Sequence, residues 1–273
     1  MSESHASGME RLPSSDGSLA RLLLGMALIP LMLLAAITTL CYLTAIDPAT
    51  THLFYSAEGN PFPYRESIVA TTIYNYGPFP AVVFGSLSGV AFLGSFVFAR
   101  LHTWRKGALF CLLAIVIGPG ILINSVLKPY WGRPRPCDTV AFGGGQDYVP
   151  PGTIGPYEMA KSFPSGHASM GFVFLLPAFL LLRQNRKLAA GVFVLGLACG
   201  MGVGASRIAE GGHYLSDIAW SGAIVYFTGL TLYVVMYGWK PPVRQRSENP
   251  DTVPFSSVRD AASTGNTRTT SAA

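Results

Sequence analysis

The sequence predicts an all-α protein, a polytopic bundle of about six transmembrane helices. Three observations carry this. Only 12% of the 273 residues are charged, against about a quarter in ordinary soluble domains. Mean hydropathy is +0.39. Charge-free apolar runs recur along the chain, several of them long enough to cross a hydrocarbon core, which takes about 20 helical residues.

The runs are taken in order. Residues 22–46 carry no charge, and their length exceeds the apolar core of a secretory signal, so they read as an uncleaved first span. Residues 79–99, 107–127, 188–206 and 218–239 are further spans. Residues 168–182 form a shorter apolar run that the preceding residues 162–167 extend. Between the first two spans, residues 47–77 read as an outer loop rich in Pro, Tyr and Phe, with room for an interfacial helix anchored by aromatics. Three regions result: a polar leader (1–20), a membrane domain (21–240) and a tail (241–273) too poor in apolar residues to fold alone.

Charge sets the expected orientation. Arg11, Arg21, Arg100, Arg105, Lys106, Arg183, Arg186, Lys187, Lys240, Arg244 and Arg246 all fall on one side of a six-span chain. The positive-inside rule makes that side cytoplasmic, with both termini inside. Arg65, Lys128, Arg133, Arg135, Lys161 and Arg207 fall on the opposite side. A net charge of +5 is no nucleic-acid signature here, because the cations are scattered in small groups between apolar runs. Cys41, Cys111 and Cys199 lie in apolar runs and Cys137 in a polar loop, with no CxxC spacing to suggest zinc or a disulfide framework.

The outward cations belong to three groups of residues. Lys128-x6-Arg135-Pro136 ends the third span, where Pro129, Pro134 and Pro136 interrupt the helix. An arginine fork suits phosphate oxygens and lysine adds a point charge; alone, the group equally suits cations resting on lipid headgroups. Pro164-Ser165-Gly166-His167 opens the fourth span. There the N–H groups of a helix start face an anion, Gly166 permits close approach, Ser165 adds a hydroxyl and His167 a proton carrier. Alone, this reads better as a Ser N-cap followed by an interfacial histidine. Ser206-Arg207-x5-His213-x3-Asp217 links the fifth and sixth spans. His213 and Asp217 share a face if both are helical. The carboxylate can then hold one imidazole nitrogen protonated and leave the other free as a nucleophile.

Together the three groups match, without substitution, the KxxxxxxRP, PSGH and SRxxxxxHxxxD signatures of the type 2 phosphatidic acid phosphatase (PAP2) superfamily, which the chain resembles from Lys128 to Asp217. The resemblance implies an outward-facing lipid phosphatase working through a phosphohistidine. It implies His213 as nucleophile, Asp217 as its partner, and His167 as acid and then base. Lys128, Arg135, Ser165, Gly166 and Arg207 would form the phosphate cradle. It implies no metal and no cofactor. The partners expected are a membrane lipid phosphate and the bilayer itself, with no nucleic acid. A phosphotransferase passing phosphate to a second lipid fits the same residues. Soluble relatives that bind vanadate fit the apolar spans poorly.

The stretches at 132–136 (GRPRP), 142–145 (FGGG) and 162–169 (SFPSGHAS) are similar to those of bacterial enzymes acting on lipid A phosphates, which places lipid A first among substrates and a bacterial inner membrane first among locations. Undecaprenyl pyrophosphate, phosphatidylglycerophosphate and phosphatidate stay open. Arg133 and Lys161 are spare cations, suited either to a headgroup or to solvent.

Overall fold

The computed structural model describes residues 24–238. The expected leader (1–20) and tail (241–273) lie outside these residues, as do Arg11, Arg21, Lys240, Arg244 and Arg246. The chain runs through α1 (Leu24–Leu43), α2 (Ile46–His52), α3 (Ile68–Gly94), α4 (Ala99–Tyr130), α5 (Gly166–Leu181), α6 (Arg186–Ala209) and α7 (Leu215–Tyr237). Among the described residues there is no strand, only an isolated bridge between Thr139 and Gln146.

Five helices (α1, α3, α4, α6 and α7) are long and apolar enough to cross a membrane, and α5 is shorter. The expected six spans therefore become five long ones around a short one. The short helix is almost wholly enclosed: Ala168, Phe172, Val173, Leu175, Leu176 and Phe179 belong to the main core. Burial also makes its entry possible. Non-helical backbone at membrane depth is tolerated only inside protein, and Ser162, Phe163, Pro164 and Ser165 are all buried. The outer helices do the reverse. Leu87, Val90 and Leu93 on α3 and Val194 and Leu195 on α6 are exposed, as expected where lipid is the solvent.

Small residues bring α5 and α6 together. A side chain at Gly171 would come within 2.8 Å of the Gly200 Cα, and one at Gly196 would strike the Leu175 backbone. Gly196, Gly200 and Gly204 recur every four residues, the small-residue spacing that allows close helix crossing in membranes. In α4 the turns widen over Val116–Leu127 around Pro119, which has no N–H to give. The Pro119 carbonyl accepts from Asn124 Nδ2 at 2.7 Å.

The second span starts earlier than its apolar run. Ser67 caps α3 by accepting from the Ala70 N–H at 3.1 Å, so part of the expected outer loop is helix, and α2 is a second helical piece of it. The C-terminal ends of α4 and α6 and the N-terminal ends of α2, α5 and α7 gather at one end of the bundle. There a smaller cluster of Phe62, Phe142 and Tyr214, with Tyr55 and Tyr148 against it, packs the covering loops. The other end holds Lys106 over the Tyr237 ring at 4.8 Å and Arg183 donating to the Gly238 carbonyl at 3.1 Å.

Candidate active site

All three groups of motif residues meet at the loop-covered end. His213 precedes the first turn of α7, so the expectation that His213 and Asp217 share a helical face is corrected: only Asp217 is helical. Asp217 instead closes the helix start, accepting from the Tyr214 N–H at 2.9 Å and from Ser162 Oγ at 2.7 Å. His213 Nδ1 lies 2.6 Å from the Ser162 carbonyl oxygen and 3.7 Å from Asp217 Oδ2. A carbonyl can only accept, so Nδ1 carries the proton and Nε2 is the free nitrogen of the neutral ring. His213 is buried, which pushes its pKa down to about 4; Asp217 opposes that shift, and Lys128 and Arg207 reinforce it.

Arg133 is placed differently from expectation. It is completely buried and so meets neither headgroup nor solvent. Its Nη1 donates to Asp217 Oδ1 at 2.5 Å, its Nη2 to Asp47 Oδ2 at 2.8 Å and its Nε to the Val149 carbonyl at 2.8 Å. Burial alone disfavours the charge, but Asp217 and Asp47 outweigh it and hold the guanidinium above its ordinary range. The other spare cation, Lys161, is exposed.

Beside this network lies a cavity of about 390 Å³ whose lining includes Arg65, Tyr74, Arg135, Arg207, Glu210 and Gly212. Arg207 pairs with Glu210 one turn on, while its buried Nε has no partner among the described residues. Its guanidinium sits 4.8 Å from the Tyr74 ring centroid. The His167 ring stacks on the same Tyr74 ring at 4.9 Å and 22°, and His167 Nε2 lies 3.2 Å from the Tyr74 carbonyl. Ser165 does cap α5, accepting from the Ala168 N–H at 3.3 Å; its own hydroxyl proton is not used in that bond. At Gly166 a Cβ would sit 2.7 Å from Asn124 Oδ1 and 3.4 Å from Lys128 Nζ. That contact brings the first and second groups together and explains why glycine stands there.

Comparison with known proteins bears on the same stretch. The PAP2 superfamily model matches residues 107–241. Residues 107–241 form a PAP2 superfamily domain. Similar proteins include the lipid A 4'-phosphatase of Francisella tularensis subsp. novicida (strain U112), 38% identical over 135 residues, covering 49% of this chain and 60% of that protein. The lipid A 4'-phosphatase of Rhizobium etli is 37% identical over 121 residues, covering 43% of this chain and 46% of that protein. The chain thus spans about half the length of these relatives. Among solved structures, the transmembrane PAP2 type phosphatidylglycerolphosphate phosphatase from Bacillus subtilis aligns with a TM-score of 0.46 at 26% identity, over 79% of this chain and 94% of that one.

In this PAP2 domain Arg135 and Arg207 line the cavity, Lys128, His167 and His213 lie within electrostatic reach of Arg207, Gly166 adjoins Lys128, and Asp217 stands beside His213. Several neighbours escape a reading of the motifs. Asp47 and Tyr74 come from the expected outer loop and carry no local signal. Glu210 lies three residues after Arg207 on a helix, a pairing legible as an ion pair. Arg65 donates through Nε and Nη2 to the Glu210 carbonyl at 3.1 and 2.7 Å, clasping the end of α6. Among the described residues, no group of three His, Cys, Asp or Glu gathers as a metal site would require. Chemically, the region offers cations for an anion, one imidazole with a free nitrogen and a second imidazole exposed enough to exchange protons.

Proposed function

We propose that the protein removes phosphate from a membrane lipid through a phosphohistidine. The observation that carries this is a His213 whose Nδ1 is held by the Ser162 carbonyl, leaving Nε2 free, within electrostatic reach of Lys128 and Arg207, with Arg135 and Arg207 lining one cavity. Phosphoryl transfer asks mainly for positioning and for neutral charge on the oxygens. His213 Nε2 attacks phosphorus as the bond to the leaving oxygen breaks, and His167 gives that oxygen its proton. His167 then takes a proton from water, which attacks the phosphohistidine and frees phosphate. Asp217 stabilises the charged ring, and Ser165, Gly166 and the three cations hold the phosphate. Neither step routes through a metal.

Lipid A phosphate ranks first as substrate. The named relatives support this, as does the loop at one end of an apolar bundle. A second cavity of about 410 Å³, lined by Leu34, Ile117, Leu122, Trp220 and Phe227 among others, offers apolar room beside α7. Basic residues at the opposite end of the bundle favour an extracytoplasmic site with cytoplasmic termini, in a bacterial inner membrane, and a membrane domain spanning 21–240.

The test is phosphate release by the purified protein from lipid A, polyprenyl and glycerophospholipid phosphates, beside His213→Ala, with chelator present. Release from lipid A that needs His213 is expected. Release from another class alone would move the substrate. Transfer to an added lipid with no free phosphate would make the protein a phosphotransferase.

A further inference from the structure

Asp47 lies outside every motif, yet it is completely buried at the start of α2. Its carboxylate is fully engaged. Oδ1 accepts from the Ser216 N–H at 2.9 Å. Oδ2 accepts from Arg133 Nη2 at 2.8 Å, from Tyr148 Oη at 3.3 Å and from Ser216 Oγ. Arg133 then reaches Asp217, and Asp217 holds Ser162, whose carbonyl fixes His213. One buried chain therefore runs from α2 to the nucleophile.

Charge explains why a second carboxylate belongs there. Arg133 and Asp217 alone would form a neutral pair, leaving Asp217 little net charge to offer. With Asp47 the trio carries one net negative charge. The need for it follows from what surrounds His213: Asp217 and the Ser162 carbonyl at Nδ1, Lys128 from α4 and Arg207 from α6 adding positive potential, and Arg133 and Asp47 behind Asp217. When Nε2 bonds to phosphorus, Nδ1 keeps its proton, so the ring becomes cationic as the leaving oxygen departs with the His167 proton. A cationic ring facing two further cations in a buried site is costly unless a negative charge lies close.

Resting on the phosphohistidine reading above, we propose that Asp47 is a positioning residue for phosphoryl transfer: its buried charge restores to Asp217 the negative potential that Arg133 neutralises, and its bonds to Ser216 fix the start of α7. It touches no substrate and acts through Arg133 and Asp217.

The test separates charge from anchoring. Asp47→Asn keeps the shape and removes the charge. It is expected to slow phosphohistidine formation in a single turnover by about 10- to 100-fold, with KM for a water-soluble phosphate monoester changed less than threefold. Asp47→Asn/Arg133→Met removes one charge of each sign and leaves the single negative charge on Asp217; it should be faster than Asp47→Asn. A folded Asp47→Asn with the wild-type rate, or a folded double variant slower than the single one, would overturn the proposal. If Asp47→Asn does not fold, the double variant decides: folding with turnover supports the proposal, and failure of either overturns it. The wild-type protein guards the premise. No phosphohistidine in wild type would sink the proposed function, whereas its presence with an unchanged Asp47→Asn sinks only the role of Asp47.

Discussion

His213 is oriented by the Ser162 backbone: Nδ1 lies 2.6 Å from the Ser162 carbonyl, closer than the 3.7 Å to Asp217 Oδ2. A main-chain acceptor sets the tautomer whatever side chain stands at 217. The phosphoryl group should therefore attach at Nε2. Trapped phosphoenzyme labelled with nitrogen-15 and read by phosphorus coupling checks this, and attachment at Nδ1 would show the wrong tautomer. Asp217→Asn should also lose less than the roughly 10⁴-fold seen where a carboxylate itself sets the tautomer.

A pH profile follows from the burial of His213. Its pKa stands at about 4, below the ordinary histidine value of about 6.5. Between these two values the unfolded chain binds the proton and the folded protein does not. The stability contributed is thus fully present above about 6.5 and is lost as pH falls toward 4. Over that window thermal unfolding in detergent should shift to lower temperature as the solution is acidified. Phosphohistidine formation needs a neutral His213 and a proton on His167, so its rate should not fall as the pH drops from 7 to 5. An acid limb centred near 6.5 in the single-turnover rate would contradict the buried, neutral nucleophile.

The helices and the chemistry were legible to different degrees, for physical reasons. Long apolar runs announce spans because hydrocarbon demands length, so α1, α6 and α7 follow the sequence closely, while α4 starts earlier, at Ala99, and takes in Arg100, Arg105 and Lys106. α3 also starts earlier, because its first turns, from Ile68, are polar enough to read as loop and only the Ser67 cap marks their start. The motif residues were legible because phosphate chemistry needs unusual residue types at fixed spacing. Arg133 was not, since it looks like its neighbour Arg135 until Asp47, far away in sequence, takes hold of it. The same holds for Tyr74, an aromatic in an aromatic-rich segment. The close crossing of α6 with α5 rests on Gly196 and Gly200, and its approach to α7 on Gly204 against Ile218, a signal of packing rather than of chemistry.

Tyr74 touches both His167 and Arg207, so its ring should matter and its hydroxyl should not. A stacked aromatic pair contributes about 0.5–1.5 kcal/mol and a cation–π contact about 0.5–2 kcal/mol. Tyr74→Leu should then reduce turnover by roughly 10- to 100-fold, more for poor alkoxide leaving groups than for good ones, since these depend on the His167 proton. Tyr74→Phe should stay within about twofold of wild type. Equal losses for both variants would point to the hydroxyl instead.

Gly166 presses against the Asn124 side chain, and a methyl there has room only if Asn124 gives way. Its amide is held by the Pro119 carbonyl at 2.7 Å, so Gly166→Ala should push both Asn124 and the nearby Lys128. Binding should weaken, with kcat/KM for the phosphate substrate falling about tenfold while helix content holds. Removing the obstacle in Gly166→Ala/Asn124→Ala should recover part of the loss. A double variant worse than both single ones would mean that the crowding lies elsewhere.

Arg133 and Lys161 offer the clearest contrast between two cations that look alike in the sequence. Arg133 neutralises two carboxylates inside the protein, and removing one partner of a buried ion pair typically costs about 3–5 kcal/mol, because the charges left behind are unsolvated. Arg133→Met leaves Asp47 and Asp217 without their cation and two negative charges in one buried space. It should unfold in detergent at a markedly lower temperature than wild type, at neutral pH above all. Acidification should narrow the gap, because protonating the orphaned carboxylates removes the repulsion. Lys161 is exposed, and Lys161→Ala should change stability by less than about 0.5 kcal/mol. Thermal melts of the two variants across pH 5–8 give the comparison. An Arg133→Met melt matching that of Lys161→Ala would mean that the buried network does not hold this end of the bundle together.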